Sequence, residues 1–279
     1  MVQSMKSFTY RRTVSLVCTL FIVVIIMLIW FVNEATIGGR GFVSGWTLCG
    51  MIIFLTLYNL RKKCPYLPLG SSSLWMQIHI YCGILTILIF LIHINISVPT
   101  GIFESMLALI YLLVFSSGVI GLFMTRTFPK RLTNLGDEVF FEYIPVLRRQ
   151  LRDQIETLAL KPGSSTEQTA IPEFYRNDLH QFVVSRPAVF SHLFGGTSKR
   201  WRAVQQSVAD HRRYMNDDEQ KLINEIEMLL RHKYLLDNQY VLQGALKVWL
   251  FIHIPTTYAL LIFMFFHSLL AHAWSGGLS

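Results

Sequence analysis

Apolar residues along this chain gather into five long, nearly uninterrupted blocks: Thr13–Val32, Phe42–Leu60, Leu74–Ile94, Ile102–Met124 and Ala245–Trp274. A helix needs about 20 consecutive apolar residues to cross the hydrocarbon core of a bilayer. Each block therefore predicts a membrane-spanning helix. Residues 125–244, between the fourth and fifth blocks, are polar and long enough for a small domain. Within them Val139, Phe140, Ile144, Leu147, Leu151, Ile155 and Leu158 recur at helical spacing, a stripe interrupted by Pro145. Lys161–Pro172 is a loop by composition. Asn216-Asp217-Asp218-Glu219 predicts a helix start, a cap followed by acids at the positive end of the helix dipole. Leu222, Ile226, Leu229 and Leu230 follow it, and this helix is expected to approach or join the fifth block with a break near Asp237–Gly244. The expected architecture is all-α. Residues 1–124 carry membrane helices one to four, 125–244 form a mainly helical insert, and 245–279 hold the fifth helix and a tail.

The chain is 52% hydrophobic and only 15% charged, which excludes an ordinary soluble domain. No small-residue cleavage site follows the first block, where Asn33, Glu34 and Ala35 come next, so it reads as a retained helix. Basic flanks give the orientation. Lys6, Arg11 and Arg12 precede the first block, Arg61, Lys62 and Lys63 follow the second, Arg126, Lys130 and Arg131 follow the fourth, and Lys247 opens the fifth. The opposite side carries Arg40. The N-terminus and the insert are thus expected on the cytoplasmic side, the C-terminus outside, and the location to be a bacterial inner membrane. The net charge of +8 is mostly this topology signal, with anionic lipid or an acidic protein as partners and no nucleic acid. The four cysteines form no C-x-x-C, so neither an iron–sulfur or zinc site nor covalent haem attachment is expected. The insert lacks G-x-G-x-x-G and P-loop motifs, and with them a nucleotide or flavin site.

Chemistry enters with the histidines. Trp75-Met76-Gln77-Ile78-His79-Ile80 returns as Trp249-Leu250-Phe251-Ile252-His253-Ile254. His93 follows His79, and His267 follows His253, at the same interval of fourteen positions. That interval rises ~21 Å along a helix and ends ~40° short of whole turns, so both members of a pair leave one face. The third and fifth blocks run in the same direction, which puts His79 level with His253 and His93 level with His267. Two flat macrocycles could stand between these helices, each iron held by one imidazole from either side. Ligation would also remove the cost of an unsatisfied imidazole in lipid. Gly83, one turn after His79, leaves room for a porphyrin, and Thr257 occupies the same offset from His253. The tryptophans read as interfacial belt residues. Arg126 and Arg131, with Lys130, Lys233 and Lys247, could reach propionates on the inner side, although flanking charge explains them equally well. His272 could meet a propionate or the headgroups. His180, His192, His211 and His232 are solvated or structural.

The paired histidines resemble the di-haem cytochrome b architecture, in which two membrane helices each carry two histidines at a similar interval. Ferric-reductase-like cytochromes use similar spacing, so the resemblance is to the superfamily. It covers the membrane part and rests on spacing; no P-E-W-Y segment is present, and the insert is longer than in respiratory cytochrome b. The resemblance implies two non-covalent b-type haems, with His79 and His253 on the inner iron and His93 and His267 on the outer. It also implies an electron-transfer subunit of a membrane oxidoreductase complex, low-spin and without catalytic residues of its own. Its partners would be redox proteins (a dehydrogenase, an iron–sulfur protein or a multihaem cytochrome), with quinone as a further candidate. The insert would be their docking platform. The competing readings are a proton or metal-ion transporter using the histidines as a relay, and a membrane scaffold acting through the insert. Against a relay, the apolar blocks hold almost no acids, and Glu104 lies at a block's end.

Overall fold

A computed structural model describes residues 25, 40–63, 71–136, 139–160, 170–194 and 199–275. Apart from Ile25, the first apolar block with its basic flank lies outside the described residues, as do Cys64, Lys161 to Gln168 and Thr169. Every described element is helical. They are α1 (Arg40–Lys63), α2 (Ser72–His93), α3 (Ile102–Thr133), α4 (Ile144–Ala159), α5 (Ala170–Phe174), a π turn (Tyr175–Leu179), α6 (His180–Val184), α7 (Val189–Leu193), α8 (Lys199–Arg212) and α9 (Asp217–Ser275). Among the described residues four helices, α1, α2, α3 and α9, are long and apolar enough to cross a membrane, so this is an integral membrane protein. The chain forms two compact units. One takes in the described residues up to Leu122 and from Phe251 onward; the other is Phe123–Leu250.

The first unit is a bundle whose directions follow from its side-chain contacts. Ser44, early in α1, meets His93 at the end of α2, while Phe54 and Tyr58, late in α1, meet Trp75 and His79. The two helices are therefore antiparallel. Phe42 and Trp46 meet His272, and Asn59 donates to the Tyr258 hydroxyl at 3.2 Å, so α9 opposes α1 and runs parallel to α2. Phe103 stacks on Phe263 and Ser117 meets His253, so α3 opposes α9. Leu48, Ile52, Leu85, Ile89, Tyr111 and Leu260 form the bundle's core, one or more from each helix. The Tyr111 hydroxyl donates to Thr86 Oγ1 at 3.1 Å and Thr86 donates to the Gly83 carbonyl at 2.7 Å, so the buried hydroxyls are satisfied without water. Ser71 starts α2 by accepting from the Leu74 amide. A Schellman closure ends it just after His93: the Ile96 and Asn95 amides bond back to the Leu91 and Ile92 carbonyls, with Asn95 at φ 51°.

The second unit packs α4, α5, the π turn, α6, α8 and the polar part of α9 around Ile155, Leu179, Trp201, Ile223, Ile226 and Leu230. Asn216 and Glu219 cap the start of α9 reciprocally, side chain to backbone in both directions.

Three expectations are corrected here. Pro145 does not interrupt a helix but lies in the first turn of α4, where a missing amide hydrogen costs nothing; Val139 and Phe140 precede that helix. Residues 170–172 are helical, so Ala170, Ile171 and Pro172 do not belong to a loop; the rest of Lys161–Pro172 lies outside the described residues. No break falls at Asp237–Gly244, since α9 continues unbroken from Asp217 to Ser275. The residues that suggested a break serve packing instead. Asp237 pairs with Lys233 one turn back at 2.8 Å and with Arg148 at 2.8 Å. Asn238 donates to the Tyr234 carbonyl. Gly244 accommodates the Phe141 ring, which a Cβ there would meet at 3.3 Å.

Candidate functional site

His93 and His267 come together at the C-terminal ends of α2 and of the apolar part of α9. Their ring centroids are 6.2 Å apart and their planes cross at 90°. Gly41, Gly45, Phe90, Met264 and His272 line the same cavity as these two rings. His79 and His253 lie four turns earlier on the same two parallel helices, ~21 Å away along the axis by helical rise. His79 packs against Tyr58 at 5.3 Å, and His253 faces α3. All four imidazoles are half-buried.

Two of the four sit in matching cradles. His253 Nδ1 is 2.6 Å from Ser117 Oγ, which is also 2.8 Å from the Val114 carbonyl. His93 Nδ1 is 3.2 Å from Ser44 Oγ, which is also 3.3 Å from the Gly41 carbonyl. In both rings a serine hydroxyl on the neighbouring helix is thus in hydrogen-bond reach of Nδ1 and fixes the orientation of the imidazole. The residue after each serine is glycine. A Cβ on Gly45 would stand 2.9 Å from His93 Cε1, and one on Gly118 would stand 3.8 Å from His253 Cε1. Each serine thus fixes one imidazole, and Gly45 also makes room for its ring, whereas a side chain at Gly118 would only touch the His253 ring at ordinary contact distance. The signal was present in the sequence as two Ser-Gly pairs within apolar blocks, but it acquires meaning only when α1 is laid beside α2 and α3 beside α9.

Two imidazoles sharing one metal in line need two bonds of about 2.0 Å plus, on each side, about 1.15 Å from nitrogen to ring centre, so their centroids stand about 6.3 Å apart. The 6.2 Å between His93 and His267 is close to that figure and is also the spacing of an edge-to-face ring contact. Haem requires only two protein donors, since the macrocycle supplies the others. Among the described residues no three His, Cys, Asp or Glu side chains converge as an all-protein metal site would have them.

The remaining candidates are placed as follows. Nothing lies within 4 Å of a Cβ built on Gly83, so that face of α2 is open. The Thr257 hydroxyl donates to the His253 carbonyl at 2.7 Å. Arg131 is engaged within the second unit, where its guanidinium donates to the Leu193 carbonyl at 2.6 Å and to the His192 carbonyl. Arg126 is exposed. Lys233 is buried against Asp237, and Lys247 pairs with Glu142. His272 Nδ1 donates to the Ser268 carbonyl at 2.8 Å and its ring lies against Phe42 and Trp46. His192 is 2% exposed and bonds Asn238 Oδ1 at 2.7 Å; burial holds its pKa below the usual histidine value.

Comparison with protein-family models, with curated proteins and with solved structures finds no match for this chain.

Proposed function

We propose that this protein is a membrane-embedded b-type cytochrome subunit that carries electrons across the bilayer on two non-covalent haems. His93 and His267 would hold one and His79 and His253 the other. The observation that carries the reading is the outer pair: two imidazoles from parallel helices, at the separation that shared ligation of one iron requires, in a cavity edged by glycine. The second pair repeats the first at the same interval on both helices, His79 to His93 and His253 to His267.

Bound there, haem supplies a reversible one-electron centre. The chain's own residues do the rest. Ser44 and Ser117, each in hydrogen-bond reach of Nδ1, would take its proton and so turn Nε2 toward the iron. Gly45 lets α1 approach the His93 ring. Phe90 and Phe103, packed against Tyr111 and His267, keep the outer site apolar and exclude water. With both axial positions filled by histidine, the centres transfer electrons rather than bind oxygen. In this reading the first apolar block adds a fifth span. The insert faces the cytoplasm of a bacterial inner membrane and docks a redox partner, with a partner protein or quinone at the other end.

A dithionite-reduced spectrum of the purified protein should show a b-type α-band. Replacing His79 or His253 should deplete one and the same centre, and replacing His93 or His267 the other. If His79 and His267 deplete a common centre, the pairing is wrong; if no replacement changes the spectrum, the ligand assignment is wrong.

A further inference from the structure

We propose that the segment around α7 is a second membrane contact, an interfacial anchor that seats the second unit on anionic lipid. This inference stands apart from the haem reading and needs only that α3 and α9 cross the bilayer.

Phe190 and Phe194 are each 79% exposed, and Val189 is exposed beside them. Large apolar side chains in such a state mark a contact surface. The charge around them has one sign. From Leu179 to Ala209 the sequence has no Asp or Glu, while Arg186, Lys199, Arg200 and Arg202 line one concavity next to α7. All four cations are exposed, and none makes an ion pair among the described residues. Trp201, buried and stacked on Tyr234 at 4.9 Å, fixes the start of α8 and so the positions of its neighbours.

The location of α7 selects the occupant. Leu193 packs into a cluster with Met124 and Phe128 of α3 and Trp249 of α9. Arg131 closes the C-terminal end of α7 through the Leu193 and His192 carbonyls. Met124 ends the apolar block of α3 and Arg126 begins its basic flank. Phe128, against which Leu193 packs, lies four residues past Met124, about 6 Å by helical rise, which is within a headgroup layer about 5–7 Å deep. Exposed aromatic side chains at that level, on a helix beside a concavity lined by four exposed cations, suit the boundary between acyl chains and anionic headgroups.

The test uses the full-length protein in nanodiscs of phosphatidylcholine alone and of phosphatidylcholine mixed with phosphatidylglycerol. Hydrogen exchange is read over residues 186–194. Each cation near an anionic surface is worth about a fivefold change in partition, so exchange should be at least about fivefold slower in the anionic discs. High salt should erase the difference in the unmodified protein. R186Q/K199Q/R200Q/R202Q should also erase it, and F190S/F194S should speed exchange in both discs, with the α9 core peptides around Ile226 as the folding control. Equal exchange in both discs and in detergent overturns the proposal. So does protection by inorganic phosphate in neutral discs, which would identify a free-anion site instead.

Discussion

Gly45→Ala is the smallest change that separates a haem cradle from a simple helix contact. The added methyl would stand 2.9 Å from His93 Cε1. Carbon atoms settle at about 3.5–4.0 Å, so the ring or the helix must yield by at least about 0.6 Å. The obstacle is the ring itself, not the far end of a flexible chain. If the ring retreats, it leaves the 6.2 Å arrangement with His267, and a metal–nitrogen bond of about 2.0 Å does not stretch by about 0.6 Å. If it rotates instead, it gives up the Ser44 hydrogen bond that presents Nε2. Under the proposed function either route costs the haem between His93 and His267 and spares the one between His79 and His253. The assay is haem content by pyridine haemochrome alongside total protein, and the ratio should fall from two to one. Gly50→Ala is the control, because Gly50 is exposed on the same helix and nothing lies within 4 Å of its Cβ. Two haems with unchanged spectra in Gly45→Ala would refute this account of the outer site, as would equal loss in Gly50→Ala.

Ser117→Ala removes the hydroxyl beside His253 Nδ1, which under the proposed function strengthens that imidazole as a donor to iron; the potential of one haem should rise by up to about 60 mV in a redox titration, the equivalent of one net hydrogen bond. Asp237→Ala leaves Lys233 and Arg148 without their shared carboxylate, with Lys233 only 3% exposed at its side chain. Thermal unfolding should report a loss of about 3–5 kcal/mol, whereas a loss below about 1 kcal/mol, the value of a surface pair, would show that water reaches the triad. Burial lowers the His192 pKa in the folded protein, so the unfolded chain binds the extra proton first. Stability should therefore fall as pH drops below the ordinary histidine range and level off below the lowered folded value, and His192→Gln should flatten that slope in melts across pH.

Apolar length was the most legible feature of the chain. Each of the second to fifth blocks corresponds to a helix long enough to cross a bilayer, because a long apolar run in lipid has few alternatives to a helix. The spacing of His79, His93, His253 and His267 could also be read directly, since helical rise and rotation convert a sequence interval into level and face. Local polarity was less informative. Asp237, Asn238 and Gly244 look like a helix break in isolation, yet their partners are Arg148, Lys233, Tyr234 and Phe141, and tertiary pairing overrides propensity. Pro145 reads as an interruption only until its position in the first turn is known. Ser44 and Ser117 escaped notice for a related reason, because a hydroxyl in an apolar helix usually bonds its own backbone. These two do so as well, and it takes the neighbouring helix to reveal that each also meets a histidine. The exposed aromatics of α7 carry no periodic signal, since the helix is a single short turn and a half from Val189 to Leu193.

The central claim is that the four intramembrane histidines hold two haems. Its most direct test is the ratio of haem to protein in the purified full-length chain, by pyridine haemochrome with protein measured independently. The account predicts a b-type spectrum and two haems per chain. A chain purified intact from a haem-sufficient host with no haem would contradict it, and a ratio of one in the unmodified protein would break the claim of a second, equivalent pair.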